Sequence, residues 1–276
     1  MRFFTNARMY AVTPQAEAAW RELIERVLAL AGLDRDPEHG FGYLPYPAPQ
    51  PLEPLWRRPD LGCAQMCGYP IALGLADVTP IAAPIPAADW AEGRAVYRSD
   101  LIVRADAPWQ RLEETFDGRF GWTVAHSHSG FNAPRHHLLR HRTPERPRVY
   151  REVVGNLVTA RRVLDAVVDG TIDVGPLDAY WHMLIRDTLP ELTARVRVLA
   201  ATDVAPMPAF VAGPNVPADI IARLGDGFAR ASGRDWFAPL GAALRITGFE
   251  AMSRASYAPT LRWDAEARAA GYPEPA

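Results

Sequence analysis

The sequence predicts an α/β protein of two lobes joined by two long strand-like crossovers, with a cleft between the lobes. Short apolar, strand-like runs alternate with helices of 3.6-residue periodicity, the pattern of α/β layers. That rhythm restarts after YRSDLIVR (residues 97–104). The chain then returns through VRVLAATD (196–203) and PAFVAG (208–213), giving two long crossovers between two units. Mainly parallel sheets are expected from such an alternation.

The elements follow in order. RFFTN (2–6) reads as a first strand. Thr13 and Pro14 supply an N-cap and a first-turn proline. Trp20, Leu23, Ile24, Val27 and Leu28 then recur at helical spacing until Gly32 stops the helix. The proline-rich stretch 43–56 reads as loop. LGCAQM (61–66) and IAAPI (81–85) read as buried strands. Beyond residue 104 the pattern predicts a short helix at 108–116, a strand at 120–125 and a histidine-rich helix. A strand near 148–154 and a helix over 156–168 follow. TIDVG (171–175) reads as a strand, and Asp178 opens the next helix. The last stretch reads mostly as helix, including 217–230.

Composition narrows the chemistry. Hydrophobic residues make up 49% and charged residues 22%, which is ordinary for a globular protein of 276 residues. The net charge of −2 offers no attraction to nucleic acid, and no run approaches the ~20 apolar residues of a membrane span. Lysine is absent, so all 30 basic residues are arginine. A Schiff-base lysine and a phosphate-loop lysine are thereby excluded, and no cofactor is expected. Cys63 and Cys67 are too few for a tetrahedral zinc set and read as small buried thiols. MRFFTNARMYAV has neither the apolar stretch nor the cleavage site of a signal peptide, which leaves the compartment open between cytoplasm and an omitted export signal.

Five of the seven histidines fall in HSHSGFNAPRHHLLRH, residues 126–141. The HSHSG segment is a junction between a strand and a helix. The first amides of a helix lack internal partners and carry partial positive charge, so Ser127, His128, Ser129 and Gly130 form a candidate anion seat. A plain serine N-cap is the alternative at this position. His137 and His141 have the i, i+4 spacing of metal ligands. Arginines at 135, 140 and 142 crowd them without an acidic neighbour, so a solvated basic face is the better account of His136, His137, Arg140 and His141. No nucleophile–base pattern is apparent.

The order of several segments resembles the phosphate/phosphite/phosphonate-type solute-binding proteins of ABC transporters, a branch of the type 2 periplasmic binding-protein fold. These segments are ARMY (7–10), LWRRPDLGCAQMCGYPIAL (55–73), YRSDLIVR, HSHSG, GTIDVGPLDAY (170–180) and APMPAFVAG (205–213). The resemblance implies two α/β lobes joined by two hinge strands, with a discontinuous first lobe of residues 1–97 and 206–276. The second lobe, 98–205, would carry the helix start that holds an oxyanion head group. Phosphonate-binding members typically read Ser-Thr-Ser-Gly where this chain has His128 in second place. Histidine can donate from a ring nitrogen and would add positive charge when protonated. Further wall positions implied are Tyr10, Gln65, Cys67, Gly68, Tyr69, Tyr97, Ser99, Asn156 and Asp178. The tyrosines have an alternative as core aromatics, and Asp178 as a helix cap. A carboxylate beside an anion seat points to a zwitterionic or polyol-bearing ligand.

The function expected is therefore capture of a small anionic, phosphonate- or phosphate-ester-like solute by a monomer. An ABC permease and ATPase are the partners and the periplasm the compartment that the resemblance implies. The competing class is a cytosolic dehydratase or lyase on the same fold, since fold alone does not decide function. A ligand sensor docking a regulatory partner is a third.

Overall fold

The computed structural model describes residues 2–276. In chain order the elements are β1 (Arg2–Asn6), α1 (Pro14–Leu30), β2 (Gly40–Tyr43), α2 (Glu53–Trp56), β3 (Leu61–Met66), α3 (Gly68–Leu73) and β4 (Thr79–Pro86). There follow β5 (Val96–Tyr97), β6 (Ser99–Arg104), β7 (Arg119–Gly121), α4 (Ala133–Leu138), β8 (Glu152–Val154), α5 (Ala160–Val168), β9 (Gly175–Asp178), α6 (Ala179–Thr188) and α7 (Pro190–Thr193). The chain ends with β10 (Val196–Ala201), β11 (Ala205–Pro206), β12 (Ala209–Ala212), α8 (Ala218–Ala231), α9 (Phe237–Leu244), β13 (Ile246–Ala251) and α10 (Ala258–Ala269).

Two compact units divide the chain. One comprises the residues up to Val96 with Pro206–Tyr257, and the other Tyr97–Ala205 with Ala258–Ala276. The final segment, α10 included, therefore packs in the second unit and not in the first lobe where the sequence placed it. Its attachments explain why. Val149 N–H donates to the Ala276 carbonyl at 2.8 Å, and Arg142 Nη1 to the Ala270 carbonyl at 2.8 Å. The Arg142 guanidinium also lies 4.5 Å from the Tyr272 ring centroid.

The first unit is built on one six-stranded sheet of order β13-β4-β12-β3-β1-β2. β1 runs parallel to β2 and β3, as expected. β12 is antiparallel to both β3 and β4, and β13 is antiparallel to β4. The sheet is mixed because β12 does not arrive through a helical crossover, the connection that parallel neighbours require. α1 begins as the sequence predicts: the Thr13 side chain accepts from Ala16 N–H, and Gly32 turns the chain at φ +66°. Phe210 on β12 fills the interior. Its ring lies 4.9 Å from Phe228 and 5.7 Å from Trp20.

The second unit has a three-stranded antiparallel sheet, β10-β6-β9, and a parallel pair, β7 and β8. Three expectations shift here. The strand expected at 120–125 stops at Gly121: Trp122 N–H makes the last bond to β8, at the Val154 carbonyl, and Thr123 N–H turns away to the Gly130 carbonyl. The strand expected at 171–175 starts only at Gly175. Asp173 is drawn instead to the Arg119 amide at 2.7 Å and to its guanidinium at 2.8 Å. The helix expected from residue 156 starts at Ala160 because Thr159 caps it, accepting from Arg162 N–H. β13 was hidden in a stretch read as helical.

Truncating Phe210 to Ala removes an aromatic ring that is fully buried. A loss of about 3–5 kcal/mol is expected, read as a lower urea midpoint. A change below about 1 kcal/mol would show that the cavity collapses and the ring is not central to this core.

Candidate functional site

The helical run after β7 opens at Ser127, whose extended backbone and hydroxyl cap it. Ser127 Oγ accepts from Gly130 N–H at 3.0 Å. The first turn, residues 128–132, is π-helical: Asn132 N–H reaches back to the Ser127 carbonyl at 3.0 Å, and α4 continues from Ala133. The serine-cap reading is thus realised. Residue 130 must be glycine. A Cβ there would fall 1.9 Å from Thr123 Oγ1. The Thr123 hydroxyl is buried and has no hydrogen-bond partner among the described residues. Sequence reading missed this residue because it lay inside an expected strand.

The second unit draws several of the expected positions around this turn. Ser99 is the register partner of Asp178 across β6 and β9, and its hydroxyl donates to the Ser129 carbonyl at 2.8 Å. The Tyr97 ring lies 6.0 Å from His128. Tyr97, Ser99, Ser127–Gly130 and Asp178 therefore form one cluster. Asp178 also caps α6, its Oδ1 accepting from Tyr180 and Trp181 amides at 2.9 and 3.0 Å. Asn156 does not begin a helix. It sits exposed at φ +56° in the loop before α5, next to Leu157, whose amide binds the Trp122 carbonyl.

His128 does not bring positive charge to the turn. Its ring is 1% exposed, 5.2 Å from the Trp263 ring, and burial drives its pKa down to about 3. Desolvation disfavours the imidazolium, and the nearby His136 disfavours it further. What positive field the turn has comes from backbone dipoles.

The solvated basic face holds only in part: Arg140 is exposed, 3.2 Å from Asp203, whereas His137 and the neighbouring Arg135 are interior. Arg135 is 1% exposed and pairs with Asp264 of α10. It donates further to Asn132 Oδ1 at 2.8 Å and to the Pro273 carbonyl at 3.2 Å. His136 stacks on Trp263 at 4.7 Å and meets Glu266 at 2.6 Å. His137 is buried, and its pKa falls to about 4 through desolvation and then the nearby Arg140. The acidic partners lie nearly 130 positions away in sequence, so no local reading reveals them. Among the described residues no group of three His, Cys, Asp or Glu side chains is placed to hold a metal ion.

In the first unit, Gln65, next to the last residue of β3, is fully buried at 1% exposure, and neither Oε1 nor Nε2 has a hydrogen-bond partner among the described residues. A buried amide left so is costly and marks a place where a ligand or water completes the bonding. Cys67 caps α3, and Gly68 must lack a side chain because a Cβ would meet the Tyr257 ring at 2.2 Å. Tyr10 and Tyr69 are almost wholly buried. Cys63 and Cys67 are free and buried, and burial pushes the Cys63 thiol up, away from the thiolate.

With this geometry in place the comparisons decide the family. The family described as "ABC transporter, phosphonate, periplasmic substrate-binding protein" matches residues 58–257. The chain belongs to that family. This binding protein shares its fold with a binding-protein component of an ABC phosphonate transporter from Pseudomonas aeruginosa. The identity is 16% and the TM-score 0.78, over 98% of this chain and 87% of that one. It also resembles PhnD1 from Prochlorococcus marinus, solved with methylphosphonate, at 12% identity and TM-score 0.75 over 98% of both chains. A Xanthomonas citri protein solved with ATP matches at 16% identity and TM-score 0.66 over 98% of both. At these identities the likeness shows fold alone. No curated protein matches by sequence. The family is one of substrate-binding proteins in ABC importers, so the dehydratase or lyase alternative has no support. No helix among the described residues is long and apolar enough to cross a membrane.

Two predictions follow from the second unit. Asp264→Leu alone strands the buried Arg135 guanidinium and costs about 3–5 kcal/mol in chemical denaturation, Arg135→Met costs less because Arg268 still pairs with Asp264, and the double replacement recovers most of the Asp264→Leu loss. Equal losses in single and double variants would contradict this. His128 and His137 are both held neutral, so between pH 6.5 and about 4 the unfolded chain binds protons that the folded chain does not. Stability therefore falls on acidification through that window, by up to about 1.4 kcal/mol per pH unit for each ring. Urea midpoints at pH 6.5 and 5 measure it, and His137→Gln flattens the slope. A slope unchanged by that substitution would mean His137 titrates freely in the folded state.

Proposed function

We propose that this binding protein captures a small phosphonate- or phosphate-ester-like anion and delivers it, as a monomer in the periplasm, to an ABC permease and its ATPase. The observation that carries the ligand class is the Ser127-capped turn, closed tightly on Thr123 at Gly130 and buttressed by Ser99. Ser127, His128, Ser129 and Gly130 hold the oxyanion, with the Thr123 hydroxyl as a further donor. Methylphosphonate in the structural relative from Prochlorococcus marinus supports the same ligand class. Tyr97, Asn156 and Asp178 complete the second unit's set. Tyr10, Gln65 and Tyr69 are the first unit's ligand-facing residues, Gln65 offering both a donor and an acceptor. Asp178 favours a ligand that carries an amine.

Thermal-shift and calorimetric titration with methylphosphonate, 2-aminoethylphosphonate, phosphate esters and alkylsulfonates tests this. Ligand at 100 times its Kd adds about 2.7 kcal/mol, or roughly 5–10 °C for a chain of this size. Ser129→Ala is expected to weaken the best phosphonate by roughly 10- to 100-fold, the worth of a hydrogen bond to a charged group. Asp178→Asn keeps the α6 cap and should erase any preference for the aminoalkyl ligand. No shift with any phosphorus oxyanion would remove the ligand assignment. An unchanged preference in Asp178→Asn would remove the amine from it.

A further inference from the structure

Asn132 follows His128 by one turn, is fully buried, and has its side-chain amide oriented by two partners with opposite demands. Oδ1 accepts from the Arg135 guanidinium at 2.8 Å, and Nδ2 donates to the Thr260 carbonyl at 2.8 Å. A guanidinium only donates and a carbonyl only accepts. Turning the amide over would set N–H against N–H and oxygen against oxygen, so the orientation is determined from both ends. The same Nδ2 lies 3.3 Å from His128 Nδ1. An amide nitrogen donates and does not accept, so Nδ1 is the acceptor of that pair. The ring is neutral, and its one proton then sits on Nε2.

We propose that Asn132 is a positioning residue: anchored by Arg135 and Thr260, it locks His128 as the Nε2–H tautomer, so that residue 128 offers the bound oxyanion a neutral N–H donor. The donor role rests on the anion reading above, whereas the tautomer lock does not. The logic is that of outer partners fixing the tautomer of a histidine that acts on a ligand. The chain of control is long in sequence and short in space. Asp264 of α10 pairs with Arg135, Arg135 holds Asn132, and Asn132 sets the ring. The opposite tautomer would present a lone pair at Nε2, which repels an oxyanion. Only a ligand bearing a hydroxyl or amine donor would suit it.

The test is a long-range 1H–15N imidazole spectrum of the ligand-free full chain at pH 7, with the His128 signals assigned by their loss in His128→Gln. The expected result is one pyrrole-type nitrogen, Nε2, and one pyridine-type nitrogen, Nδ1. A protonated Nδ1, or two shifts averaged by exchange, in the folded wild type overturns the lock without any variant being made. Asn132→Asp puts an acceptor against Nδ1 and should move the proton there. Asn132→Leu should give averaged shifts. A pure Nε2–H ring in a folded Asn132→Leu protein would show that Asn132 is not the device. On adding methylphosphonate the Nε2 proton signal should move, and Asn132→Asp should weaken binding about tenfold. Binding that leaves that signal in place overturns the donor role. If no phosphonate binds at all, the ligand reading and the donor role fall together, while the lock is judged on the ligand-free spectrum.

Discussion

The buried pairing of Arg135 with Asp264 is the interaction on which the arrangement of the second unit depends. It joins the helix that opens at Ser127 to α10 at the far end of the chain. Burying a guanidinium and a carboxylate is expensive, and their attraction offsets the cost only when geometry and further hydrogen bonds are good. Here Asn132, Pro273 and Arg268 supply those bonds. Such a pair adds little net stability over an apolar replacement, but it admits few alternative registers. That suits a helix whose first turn must meet Thr123 and Ser99 in fixed places.

The electrostatics of the seat follow from the same burial. The turn sits among aromatic rings and a neutral imidazole, with Trp263 stacked against both His128 and His136. Recognition by oriented donors is sensitive to geometry, because each donor must point where a ligand oxygen lies. The glycine at 130 and the hydroxyl at Ser99 keep the turn close to its support, and the cap at Ser127 fixes where the helix begins.

The histidine-rich stretch shows how far local composition can mislead. Viewed alone, residues 135–142 carry three arginines and three histidines in quick succession and no acid, which reads as a face turned to water. In the fold Asp264 and Glu266 meet that face, and Arg135 and His137 are interior residues. Charge balance in a folded chain is settled in space, not along the sequence. A long side chain can also bury its stem while its head finds a partner.

Periodicity, capping residues and turn glycines determined most of the elements by themselves: α1 between Thr13 and Gly32, the strands at β3 and β12, and the helix start at Ser127. The segment order also carried the family, because those local signals recur in a set sequence. Local preference acts over a few residues, and there the reading held. It failed where a distant partner outbid it. Asp173 turns to Arg119, Thr123 leaves the ladder for the Gly130 carbonyl, and Thr159 caps a helix that the sequence pattern starts at Asn156. Only the tertiary structure decided that α10 belongs to the second unit, that His128 is neutral, and that Thr123, Asn132 and Arg135 surround the site. Each of these depends on which groups lose their water and which groups replace it, and that is set by packing between residues far apart in the chain.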